Sequence, residues 1–171
     1  MNVMGLDPGT TGAVAFLGER GAAVYDIPVL TIRGNGFAVR RIDARGLALL
    51  IRKEFPAGTP FAAFCESVHA IAHGNSIGSQ GSLMRSLGAI EAVCECLGVP
   101  VELIPPQTWQ GFYGLVGKKT EIRANGEMPA ATRKALQLYP EVASDLARVS
   151  DHNRAESLLI AHYAMRKVLG Q

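Results

Sequence analysis

The sequence contains no apolar run approaching the ~20 residues that a membrane-spanning helix requires. Its opening residues, MNVMGLDPG, carry neither a basic start nor an apolar signal core, so a cytoplasmic location is expected. Cysteine is scarce, and Cys65, Cys94 and Cys96 do not make a disulfide framework. Cys65 falls in a strand pattern and the other two in a helical one, which reads as buried thiols in a reducing compartment. A zinc site on Cys94-x-Cys96 lacks two further ligands at the usual spacings. An excess of one charge is missing too: 17 Lys and Arg against 15 Asp and Glu give +2, which neither demands nor excludes nucleic acid. What is present is 48% hydrophobic and 19% charged, in 171 residues that suit a single domain over 1–171 with a proper core.

Residues 2–6 form a short apolar strand that stops at Asp7-Pro8-Gly9, where proline and glycine make a turn. Residues 12–17 and 22–27 read as the second and third strands, and the tight connections imply an antiparallel meander. Residues 28–41, with Gly34 and Gly36 among Arg33, Arg40 and Arg41, read as a flexible excursion. With Arg45 added, this basic run faces the single acid Asp43, as either a solvated face or a nucleic-acid contact. Asp43 is placed to cap a helix over 44–55 with Leu47, Leu50 and Ile51 on one face.

The continuous apolar run 61–65 reads as a strand covered on both faces, and it ends at Glu66. A loop over 67–79 leads to a helix over 80–97 striped by Leu83, Leu87, Ile90, Val93, Cys94 and Leu97. A strand at 99–104, a short helix around Trp109, a glycine-containing stretch over 111–126 and helices at 128–138 and 151–169 complete the chain. The order β-β-β-α-β-α-β-α-α implies an α/β fold whose mixed five-stranded sheet joins an antiparallel meander to two parallel strands. With helices on both faces, that architecture matches the ribonuclease H-like fold.

An acid placed directly after an apolar strand projects from the sheet edge, where strand ends of such folds carry ligands and chemistry. Asp7 and Glu66 both hold that position, on strands that lie side by side in this fold. Two carboxylates that close favour a neutralising cation, and hard oxygen ligands favour magnesium or manganese. A third contribution comes from the polar start of the last helix, Ser150-Asp151-His152-Asn153-Arg154-Ala155-Glu156. Asp151 is equally well explained as a helix cap. At 100° per residue, His152 and Glu156 share a face, whereas Asp151 and Glu156 are about 140° apart.

Gly5-Leu6-Asp7-Pro8-Gly9, Phe64-Cys65-Glu66 and Asp151-His152-Asn153-Arg154-Ala155-Glu156-Ser157-Leu158-Leu159-Ile160-Ala161 together resemble the RuvC family of Holliday-junction resolvases. Tyr25-Asp26-Ile27-Pro28 before the Arg/Gly segment, and Pro105-Pro106-Gln107-Thr108-Trp109-Gln110, resemble its phage-type branch. The resemblance implies an endonuclease that cuts four-way or otherwise branched DNA by two-metal hydrolysis. Asp7 would bridge two ions about 4 Å apart, with Glu66 and Glu156 each holding one. The fourth ligand is Asp151 or His152; the family's more frequent Asp-x-x-Asp pattern puts Asn153 at that place. Where the family pairs Trp with Lys, this chain has Trp109-Gln110, so Lys118 or Lys119 is the expected source of catalytic charge, unless both are ordinary surface lysines.

The family's junction-wedging aromatic corresponds to His69, with His73 and Asn75 as further phosphate contacts in the same loop. A near-two-fold substrate implies a homodimer. The family's dimer helix corresponds to 80–97, with Leu83, Leu87, Gly88 and Ile90 at the contact, although the same stripe could simply cover the sheet.

Four other readings are weaker. DPGTTG resembles the phosphate turn of actin-like ATPases, which need two such domains. Gly117-Lys118-Lys119-Thr120 fails as a phosphate-binding loop because Phe112 stands where its first glycine belongs, so no nucleotide cofactor is expected. RuvC-related RNA-processing nucleases lack the Arg/Gly segment, and a non-catalytic junction binder has no use for three acids in a DNA cleft.

Overall fold

The computed structural model describes residues 1–34, 36–68, 77–117, 128–168 and 170. Strands β1 (Asn2–Asp7), β2 (Ala13–Gly18) and β3 (Gly21–Asp26) form the expected meander, and β4 (Val29–Gly34) and β5 (Phe37–Ile42) follow. Helix α1 (Ala44–Glu54) leads to β6 (Phe61–Glu66), α2 (Ile77–Cys96) and β7 (Val101–Ile104). Helices α3 (Pro106–Phe112), α4 (Ala130–Leu138) and α5 (His152–Tyr163) complete the order, with tight turns at Pro140–Leu146 and Val149–Asp151 before α5.

The main sheet runs β3-β2-β1-β6-β7, with β1, β6 and β7 parallel and β2 antiparallel to both neighbours. This is the mixed five-stranded sheet expected of a ribonuclease H-like fold. Alternation along β1 sends Val3 to one face and Met4 and Leu6 to the other. Val3 joins Ala15, Leu17, Phe64, Trp109 and the apolar side of α5. Met4 and Leu6 join Leu47 and Ile51 of α1 and Leu87 and Ile90 of α2. Leu47 and Ile51 are wholly buried, each stabilising the fold by about 1.5–3 kcal/mol. Asp43 caps α1 as its sequence position predicts, accepting from the Gly46 amide at 3.0 Å.

One contact fixes the register between sheet and helix. A Cβ on Gly5 would lie 2.3 Å from the Ser157 carbonyl oxygen and 2.5 Å from the Ala161 amide, so only glycine lets α5 rest directly on β1.

Three expectations are corrected. Residues 28–41 are not an excursion: β4 and β5 pair antiparallel as a separate ribbon, from Val29 opposite Ile42 to Gly34 opposite Phe37. Its many arginines and glycines obscure an alternating pattern with β-branched residues at Val29, Thr31, Ile32 and Val39. Cys96 is exposed, while Cys65 and Cys94 are buried. Leu87 and Ile90 sit in the core, at 4% and 0% exposure, so neither is available to a dimer contact; Gly88 is exposed and Leu83 half-buried.

Candidate active site

Asp7 ends β1 and Glu66 ends β6. These strands are parallel, with Leu6 opposite Cys65, so the two acids occupy the next step on the same sheet edge. Both charges act on the neighbouring core thiol: burial first, then Asp7 and Glu66, push Cys65 well above its ordinary pKa. The Glu66 carboxylate is oriented from the core side, where the fully buried Trp109 donates its indole N–H to Oε2 at 2.8 Å.

Helix α5 runs antiparallel to β1: Ala161 and Ser157 lie over Gly5, and the Asn153 amide donates to the Thr11 carbonyl beyond Asp7 at 2.6 Å. Arg154 reaches β3, donating Nε to Asp26 Oδ1 at 2.7 Å and a second N–H to Oδ2 at 2.8 Å. Glu156 is about 200° round the helix from Arg154, on the side away from β3. It is buried, at 5% exposure.

Asp151 is held elsewhere. Its Oδ2 accepts from the Arg148 amide at 2.8 Å, and its Oδ1 accepts from the Arg148 guanidinium at 2.8 and 3.1 Å. Burial alone would raise its pKa, but the Arg148 hydrogen bonds and charge bring it below the usual carboxylate range. It also interacts with Asp26 and Arg154, which sets it in a chain of alternating charges at the β3 side. His152 is half-buried, with Nδ1 3.3 Å from the Val149 carbonyl.

T. thermophilus RuvC in complex with Holliday junction substrate matches with a TM-score of 0.52 at 18% identity, over 99% of this chain and 96% of that one. The fold is that of RuvC. A structure of Thermus thermophilus RuvC itself gives 0.45 at 18% identity, over 99% of this chain and 97% of that one. Fowlpox virus resolvase with its substrate Holliday junction DNA gives 0.44 at 10% identity, over 96% and 98%. No family model matches the sequence, and no curated protein does.

Within this fold, Asp7 and Glu66 end adjacent parallel strands, and Glu156 is on the helix that packs on β1. Arg33, Arg40 and Arg41 are exposed on the β4–β5 ribbon. His69, His73, Asn75, Lys118 and Lys119 lie outside the described residues. Sequence reasoning missed Trp109 as the partner of Glu66, and Arg148 and Arg154 as partners of Asp151 and Asp26. For Asn153 a signal existed, the three-residue spacing to Glu156.

Carboxylate and amide oxygens are the hard donors that magnesium and manganese take, so Asp7, Glu66, Glu156 and Asn153 fit such a cation in chemistry. Among the described residues, no three His, Cys, Asp or Glu side chains stand close enough together to enclose an ion. No helix among them is long and apolar enough to cross a membrane.

Proposed function

We propose that this chain is a divalent-metal-dependent endonuclease that cleaves branched DNA, the four-way Holliday junction foremost, by hydrolysing phosphodiester bonds. The observation that carries this reading is the juxtaposition of Asp7 and Glu66 at adjacent parallel strand ends beneath the helix bearing buried Glu156. The shared fold adds support, because the T. thermophilus RuvC it resembles was solved with Holliday junction substrate.

Asp7, Glu66 and Glu156 would hold two cations, magnesium or manganese, with the Asn153 amide oxygen as the fourth donor. Asn153 replaces Asp151 and His152 in that role because it reaches the loop that follows Asp7, while Asp151 is bound to Arg148. Held by these residues, such cations would supply charge to neutralise the phosphodiester and would lower the proton affinity of the attacking water. The protein's own part is positioning. Trp109 fixes the Glu66 carboxylate, and Arg154 clamps the start of α5 to β3 through Asp26. Lys118 and Lys119 remain the candidates for a cation at the scissile phosphate. A homodimer belongs to the same reading, because a substrate with two-fold symmetry is cut at paired sites.

The test is cleavage of a synthetic four-way junction by purified protein in magnesium, beside Asp7→Asn. Wild type is expected to nick the junction at paired positions in preference to linear duplex. The variant should bind with affinity within a few-fold of wild type and cut nothing. Full cleavage by Asp7→Asn would overturn the assignment.

A further inference from the structure

The β4–β5 ribbon is tied to the same sheet edge as the acids. β3 ends at Asp26 opposite Ala13, which in turn pairs with Asp7. The ribbon starts three residues later, at Val29, and its base is closed by the Asp43 amide donating to the Pro28 carbonyl at 2.8 Å. Six residues per strand give it a reach of about 20 Å from that edge.

Cross-strand pairing divides the ribbon into two faces. Leu30, Ile32, Val39, Phe37 and Gly34 share one with Arg41, while Thr31, Arg33, Ala38 and Arg40 share the other. Leu30, Ile32 and Phe37 are 50%, 44% and 63% exposed, a costly arrangement for a ribbon with no ligand. Residues 27–42 contain three arginines and no acid, so the apolar face is framed by positive charge alone. Phe37 is held in place: it is opposite Gly34, where a Cβ would lie 3.0 Å from the Phe37 Cζ. One side of the ring thus rests on glycine, and most of the side chain is open.

We propose that this ribbon engages the opened branch point of the DNA, with the Phe37 ring stacking on an unpaired base and Arg33 and Arg40 neutralising phosphates from the opposite face. The proposal rests on the branched-DNA reading above. An open aromatic ring beside arginines is the chemistry that grips single-stranded nucleic acid, and a two-stranded ribbon fits a DNA groove. A second copy of the chain is the other conceivable occupant, but three arginines without an acid make self-association across this ribbon repulsive.

The experiment uses a four-way junction with 2-aminopurine at a branch-point position, bound in calcium and read by fluorescence, an assay independent of cleavage. Wild type should raise the signal as the base unstacks. Phe37→Ala should lose the rise and bind the junction about tenfold more weakly, with duplex affinity unchanged. Phe37→Trp should keep both. Gly34→Ala should reduce the rise with the aromatic retained, because its methyl group displaces the ring. Arg33→Ala and Arg40→Ala should weaken junction and duplex alike and lower the salt dependence of binding. An undiminished rise with Phe37→Ala overturns the proposal, as does no rise with wild type or a dimer that falls to monomer on Phe37→Ala. If wild type opens the junction but never cuts it in magnesium, the nuclease reading fails and this one stands.

Discussion

Replacing Trp109 by Phe separates a core role from a site role within one residue. The indole N–H donates to Glu66 Oε2 at 2.8 Å, and the ring is wholly buried. A hydrogen bond to a charged acceptor stabilises by about 1.5–3 kcal/mol. The smaller ring also leaves a partial void, so the total loss on unfolding is expected to be about 2–4 kcal/mol. Loss of packing alone would end there. If Glu66 holds a cation, however, the lost donor also releases the carboxylate from its orientation, and disturbing such an outer partner costs about 10–100-fold in metal affinity. The assay is junction cleavage over a magnesium titration, at a temperature where urea unfolding shows the variant folded. The midpoint should move to higher magnesium by that factor, with most of the rate recovered at saturation. An unmoved midpoint alongside the stability loss would refute the argument and leave Trp109 as core only.

Three further perturbations probe the seat of α5. Gly5→Ala forces a methyl group to within 2.3 Å of the Ser157 carbonyl oxygen, so urea unfolding should show a loss of about 1–3 kcal/mol or more, with cleavage falling as Glu156 is displaced. Asp151→Asn removes a carboxylate whose pKa is depressed by Arg148, so its stabilisation is present above about pH 4 and lost as pH falls through the folded value. Because Arg148 is largely exposed, only a small loss of stability at pH 7 is expected, together with a flatter acid limb in unfolding and cleavage within a few-fold of wild type. A thousandfold loss of cleavage would make Asp151 a ligand after all. Asn153→Ala should raise the magnesium midpoint, Asn153→Asp should not, and His152→Ala should leave it within about two-fold; the reverse order would return the fourth place to His152.

The strand-end acids were legible because a carboxylate directly after an apolar run has one structural meaning in a parallel sheet. Asp7 and Glu66 needed only the order of elements to be brought together. The cap at Asp43 was local in the same way, with its acceptor and the Gly46 amide three residues apart. What escaped was set by distant partners. Trp109 and Glu66 are separated by 43 residues and Arg154 and Asp26 by 128, with no shared periodicity to announce them. Asp151 shows the ambiguity in small compass: an acid at a helix start reads as cap or ligand, yet its side chain makes no cap bond to α5 and instead accepts from the backbone and guanidinium of the arginine three residues earlier. On α2 the apolar stripe admitted both a dimer and a core reading, and burial of Leu87 and Ile90 against the sheet uses up much of it.

The topology also explains why several acids are distributed along one sheet edge. β1, β3 and β6 all point the same way, so Asp7, Asp26 and Glu66 must emerge together. Since α5 runs antiparallel to β1, its N-terminus lies over that edge, where the positive end of the helix dipole favours negative charge. Arg154 and Arg148 extend this by binding Asp26 and Asp151, both on the β3 side. The positive charge is thus placed asymmetrically, bracing the start of the helix on its β3 side. Were a cation held by Asp7 and Glu66, as proposed, both arginines would already be bound to other acids. Substituting either arginine should therefore act through the seating of α5, and the substitution should change stability before it changes the magnesium requirement.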